Sequence, residues 1–143
     1  MLAQAIATVA AIPVCVYLLE GVTAVSMEYA LMTGAVLAVT GNIDIVADGS
    51  TAYCIYNGHP MMGRVTGTGC QLTCLTAAFA AANPGDLTGA AAAAVCAMGL
   101  CGELAHRRLG PQDGNASYRN YIIDAVYHLT PEQLEEGARY EVR

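Results

Sequence analysis

Val65-Thr66-Gly67-Thr68-Gly69-Cys70 sets two glycines and a threonine directly ahead of a cysteine and an apolar run. Where a strand or loop enters a helix, the first turn exposes unpaired N–H groups and the positive end of the helix dipole. Glycines let the chain bend until those N–H groups converge, and let a ligand approach without meeting a side chain. Such a turn can act as an anion hole for a phosphate, or for charge developing on a transferring phosphoryl group. It is not a Walker loop, because the lysine of GKS/T is missing, and Arg64 is the nearest cation in sequence. The same dipole stabilises a thiolate at Cys70, making it a candidate general base for a substrate hydroxyl, or a nucleophile. A nucleophile needs a paired histidine, and only His59 is close in sequence. The competing reading is a turn that merely reverses the chain, with Cys70 buried at the helix start. Spacing leaves both open.

The other residues able to do chemistry have plainer explanations. Six cysteines form no CxxC pair, and His59, His106 and His128 are scattered, so the thiols read as reduced, small core residues of a cytosolic protein. Cys70 and Cys74, four apart, share a helical face. Asp44 and Asp48 could be imagined as a metal pair, but flank a hairpin strand and read as solvated or turn-forming. His59 reads as a loop residue, with pocket lining as the alternative, and Met61-Met62 as core fillers that could also touch a substrate ring. Glu132, Glu135, Glu136 and Glu141 read as a solvated face. Arg107 and Arg108 suit the C-terminal end of a helix dipole. Asn115-Ala116-Ser117 matches a glycosylation acceptor, which has meaning only in a secreted chain.

These residues need a scaffold, and 143 residues suffice for one domain with a real core, residues 1–143. A composition 55% hydrophobic and 13% charged excludes the disordered classes. With net charge −6 and no lysine there is no basic patch to hold nucleic acid. The first 19 residues are apolar, but lack a positive flank and are interrupted by Gln4, Thr8 and Pro13. They read as buried core, not as a leader or membrane span.

Along the chain, a short helix over about 2–10 and an extended stretch over 14–19 precede a helix over 23–33, with Thr23 as N-cap and Gly34 as stop. Ala35–Thr40 has the apolar run of a strand buried on both faces, as in a parallel sheet. Ile43–Asp48 and Thr51–Tyr56 form a hairpin around Asp48-Gly49, and an irregular loop follows. A helix runs from Cys70 to the Asn83-Pro84-Gly85 stop, and Asp86 caps a second one reaching about Arg108. Gly99 and Gly102 share a face of that helix, where another backbone could approach. Ser117 caps a helix to about His128, and Thr130-Pro131-Glu132-Gln133 has capping-box spacing for a last short one.

Ala38-Val-Thr-Gly-Asn-Ile-Asp44, Asn57-Gly-His-Pro60 and Val65–Cys70, followed by Gly110-Pro111 and Ile123–Thr130, resemble the hydroxyethylthiazole kinase family. The resemblance runs from about Ser26 to the C-terminus and matches the family's C-terminal half, while residues 1–22 match poorly. It implies an α/β, partial ribokinase-like fold: a mostly parallel sheet, a β-hairpin and packed C-terminal helices. It further implies ATP- and magnesium-dependent phosphorylation of the hydroxyl of 4-methyl-5-(2-hydroxyethyl)thiazole, in thiamine biosynthesis or salvage, by a cytoplasmic enzyme. Carried over by motif, Thr40 lies at the nucleotide, Gly67 at the thiazole alcohol, and Gly67, Thr68, Gly69 and Cys70 form the anion hole. Cys70 stands where other ribokinase-like kinases carry an aspartate base. The family's acidic magnesium ligands and nucleotide arginine belong to the N-terminal half. The chain is therefore expected to form a homo-oligomer or to join an N-terminal-half partner. The rival is a non-catalytic binding or assembly module; a cysteine-dependent acyl transferase lacks a positioned histidine.

Overall fold

The computed structural model of the protein describes residues 6–10 and 16–143. Its elements run β1 (Ile6–Ala10), α1 (Val16–Thr33), β2 (Val36–Thr40), β3 (Asp44–Ala47) and β4 (Ala52–Ile55). A 3₁₀ turn (Pro60–Arg64) then leads to α2 (Thr68–Ala82), α3 (Leu87–Arg107), α4 (Asn115–His128), α5 (Pro131–Gly137) and β5 (Tyr140–Val142). The strands form one sheet in chain order.

Side-chain alternation along that sheet creates three layers. Val46 and Ile55 face a core built on α3, with Val95, Met98 and Ile122. Their neighbours Ile45, Ala47 and Cys54 face the other way, toward Leu19 of α1. The strands are thus covered on both sides, as the unbroken apolar run 35–40 requires. α3 is long and apolar enough to cross a membrane, yet 67% of its most apolar stretch is buried between the sheet, α2 and α4, which makes it the core helix.

The α/β class holds, but the predominance of parallel pairing does not. Only β1–β2 is parallel among the described pairs; β2–β3, β3–β4 and β4–β5 are antiparallel. The hairpin follows its predicted turn: Asp48 Oδ1 accepts the Ser50 and Thr51 amides at 2.7 and 2.8 Å, and its Oδ2 accepts the Thr88 hydroxyl at 2.8 Å.

The N-terminal expectations need correction. Residues 6–10 are a strand, paired in parallel with Val36–Thr40; 2–5 lie outside the described residues. The stretch 16–19 is helix, because burying Leu19 on the sheet outweighs the roughly 1 kcal/mol helical cost of Gly21; 14–15 fall outside. Thr23 is consequently inside α1, not its cap, and its hydroxyl donates to the Leu19 carbonyl at 2.7 Å. Gly34 does stop the helix, at φ +67°. α4 begins before Ser117, its hydrogen-bond ladder opening with Tyr118 N–H to the Gly114 carbonyl at 3.0 Å. The Asp86 cap and the Thr130–Gln133 capping box form as predicted. β5 was not anticipated, being three exposed residues with no pattern of their own.

Candidate functional site

At the end of β2, an open cleft of about 370 Å³ brings together three segments distant in sequence. Thr40 to Asp44 border one side, Tyr56 to Pro60 another, and Thr68 and Gly69 of α2 a third, with Val95, Met98 and Gly99 of α3 as floor.

The α2 end is built as its sequence requires. Gly67 is the N-cap at φ +100°, a left-handed conformation that glycine enters without strain. The first ladder bond is Gln71 N–H to the Gly67 carbonyl at 3.0 Å, and no side chain caps the helix. Among the described residues the amides of Thr68, Gly69 and Cys70 therefore have no acceptor. The Thr68 hydroxyl turns back onto the Val65 and Met62 carbonyls at 3.3 and 3.4 Å, away from those amides. Thr40, Thr68 and Gly69 share the cleft; Gly67 and Cys70 are not part of its lining. Cys70 is exposed, as is Cys74, so neither the buried-turn reading nor a core role holds for these two thiols. Cys54, Cys96 and Cys101 are buried, whereas Cys15 falls outside the described residues.

Asp44 is neither solvated nor merely turn-forming. It is half-buried in the cleft wall and accepts the Gly41 amide at 2.8 Å. Burial pushes its carboxyl up to about 6, with the Gly41 bond pulling the other way. Among the described residues no group of three or more His, Cys, Asp or Glu could hold a metal ion, and Asp44 alone gives the cleft a carboxylate.

His59 both caps the 3₁₀ turn and lines the cleft. Its Nδ1 accepts the Met61 amide at 3.2 Å, and its ring stacks on His106 at 3.5 Å. Burial, then the neighbouring His106, hold its pKa below the ordinary value, against the pull of Glu103. Met62 serves both readings, lining the cleft and packing on the core. Arg108 has partners beyond the helix dipole, stacking on Tyr121 at 4.4 Å and pairing with Asp124 at 3.6 Å.

Asn57, Glu103 and Arg139 emerge only in three dimensions. Glu103 Oε1 accepts the Gly58 amide at 2.8 Å and the Asn57 amide group at 3.2 Å, while Arg139 grips both carboxylate oxygens at 2.8 and 3.1 Å. Asn57 also donates to the Gly137 carbonyl at 2.9 Å and accepts the Arg139 N–H at 2.7 Å. Burial would raise the Glu103 carboxyl, but the bonds from Arg139, Gly58 and Asn57 outweigh it and hold the group below its usual range. The loop 57–60 reaches this network by lying on Gly99, where a Cβ would sit 2.7 Å from that of Asn57. The Gly99/Gly102 face was the one sequence signal for this contact.

Comparison with known proteins identifies the family. The hydroxyethylthiazole kinase family model matches residues 18–132. The chain belongs to that family. It is 51% identical to the hydroxyethylthiazole kinase of Clostridium acetobutylicum over 123 residues, covering 86% of this chain and 45% of the relative. The enzyme of that name from Zea mays is 42% identical over 114 residues, covering 80% and 40%. The structure of the hydroxyethylthiazole kinase protein from Pyrococcus horikoshii OT3 superposes with a TM-score of 0.78 at 30% identity, covering 87% of this chain and 47% of that one. The fold is accordingly ribokinase-like, and the chain spans less than half the length of these members of the family.

Proposed function

We propose that this chain supplies the phosphoryl-binding half of a hydroxyethylthiazole kinase, moving the γ-phosphoryl group of ATP to the hydroxyl of 4-methyl-5-(2-hydroxyethyl)thiazole. The observation that carries the reading is the set of unclaimed amides at Thr68, Gly69 and Cys70, opened by Gly67 at φ +100°. Phosphoryl transfer depends mainly on positioning and on stabilising negative charge, which converging N–H groups at a helix N-terminus supply. Thr40, across the cleft, meets the nucleotide; Gly67 borders the thiazole alcohol; Cys70 orients or deprotonates the attacking hydroxyl. Magnesium would neutralise charge developing on the nucleotide phosphates in a reaction of this class. Among the described residues the cleft offers it one carboxylate, that of Asp44.

In this reading residues 1–143 form one domain, and a second polypeptide, another copy or an N-terminal half, completes the enzyme. Val25, Tyr29 and Met32, spaced along one side of α1, are 65%, 55% and 78% exposed, an apolar stripe suited to a partner. Among the described residues β1 ends the sheet, and an unpaired edge is a template for another strand. Gln71 Oε1, in the first turn of α2, is buried without a hydrogen-bond partner among the described residues. The setting is cytoplasmic, where the thiols stay reduced. The α1 stripe also favours a second reading, an assembly module without turnover.

The test is ATP-dependent phosphorylation of hydroxyethylthiazole by the purified chain with magnesium. A valine at position 67 cannot adopt the native φ without strain, so Gly67→Val abolishes turnover. Cys70→Ala lowers it by about 10²-fold, the low end for a lost proton-transfer group. A folded chain with no turnover would refute completion of the site by another copy alone and leave the N-terminal-half partner or the module.

A further inference from the structure

Among the described residues two of the free thiols differ from the rest. Cys54, Cys96 and Cys101 are buried, and burial pushes Cys96 and Cys101 up to about 11. Cys70 and Cys74 are both exposed and lie one turn apart on α2. At that spacing Cβ atoms are about 5–6 Å apart, whereas a disulfide needs about 3.5–4.5 Å. The helix thus holds the pair too far apart to oxidise to each other without unwinding. Two sulfurs about 2.3 Å from one soft centre, at the angle of about 100° of a pyramidal trivalent arsenic, are roughly 3.5 Å apart. Each thiol reaches that separation by leaning inward about one ångström from Cβ atoms at this spacing. Thr73, between them in sequence, turns its hydroxyl onto the Gly69 carbonyl at 3.0 Å.

We propose that Cys70 and Cys74 form a bidentate dithiol site for soft, thiophilic ions of the trivalent-arsenic class. With an organoarsenic oxide, two S–H bonds and the As–O double bond break and two As–S bonds form. The oxide oxygen leaves as water with both thiol protons, and arsenic stays trivalent, so no oxidant or reductant is required. The site rests on exposure and spacing, independently of the kinase reading. Its occupant sits beside the unclaimed amides of the first turn of α2.

Phenylarsine oxide is the probe. The native chain, Cys70→Ser and Cys74→Ser are each treated, washed with excess monothiol and weighed by intact mass spectrometry, with circular dichroism confirming the fold. The second thiol closes a ring intramolecularly, so resistance to the monothiol falls by about 10²-fold or more in either variant. The native chain retains one arsenical, on the tryptic segment 65–107 and not on 1–64, which holds Cys15 and Cys54. Equal retention by a single-cysteine variant, an adduct on 1–64, or no adduct on the native chain would overturn the proposal. None of these readouts depends on kinase activity.

Discussion

Replacing Glu103 by alanine separates what this carboxylate does for the cleft from what it does for its ion pair. The Glu103 side chain is 11% exposed and that of Arg139 52%. Loss of the carboxylate leaves the Gly58 amide without an acceptor and removes one of the Asn57 amide group's two, beside an Asn57 that is 6% exposed. Bonds to a charged acceptor contribute about 1.5–3 kcal/mol each, and a stranded buried donor costs about 1–3 kcal/mol. Arg139 can be rehydrated, so its share is held to the 0–1 kcal/mol of exposed pairs. Glu103→Ala should therefore cost roughly 3–5 kcal/mol and Arg139→Ala, which leaves the carboxylate its Gly58 and Asn57 bonds, about 1–2 kcal/mol. At about 2–4 °C per kcal/mol, the first lowers Tm by on the order of 10 °C. Thermal unfolding by circular dichroism, with a double-mutant cycle, measures both. The sign with pH is also fixed. The folded carboxyl lies below its unfolded value, so its contribution is complete above about pH 4.3 and fades as acidification titrates the folded group. If Arg139→Ala costs as much as Glu103→Ala, the carboxylate serves the ion pair and not the loop, and the reasoning fails.

Two further predictions follow from the same cleft. Asp44 lies higher in the folded state, about 6, so its contribution is full below its unfolded pKa and is lost as pH rises through 6. Asp44→Asn, which keeps an acceptor for Gly41, should gain roughly 1–3 kcal/mol at neutral pH and flatten the stability profile between about pH 4 and 6; urea titrations at several pH values read it, and an unchanged profile would sink it. Gly99→Ala gains about 1 kcal/mol of helix propensity, but its Cβ would sit 2.8 Å from the Asn57 carbonyl carbon, an overpacking cost of about 1–3 kcal/mol. A net loss in urea midpoint is expected, and a more stable variant would mean that the loop stands off α3.

Elements with local signals were legible in the sequence. Asp48-Gly49, Asp86 and the Thr130–Gln133 box act through bonds to residues two to four positions away, and each formed as read. At the α2 mouth a glycine at positive φ leads into the helix, a local event, although the helix starts at Thr68 and not at Cys70. The misses came where tertiary contacts override propensity. Residues 6–10 joined β2 as a strand, and Leu19 drew the start of α1 back to Val16. Asp44 read as solvated because nothing local reports the burial behind it. Glu103 and Arg139 looked like any helix and tail charges, since their meaning lies in partners 36 and more positions away.

Synthesis on the ribosome gives that separation a temporal consequence. Asn57 is tied to Gly137 and Arg139, and Tyr56 to Arg139, across 80 to 83 residues. A chain emerging N-terminus first can pair β2, β3 and β4 and lay down α2 and α3 well before Arg139 has been translated. Until then the Glu103 carboxylate is desolvated without its cation, and the loop carrying His59 lacks half of its anchors. The cleft is therefore among the last features to mature, so a nascent chain passes through a stage with a formed core and an unformed site.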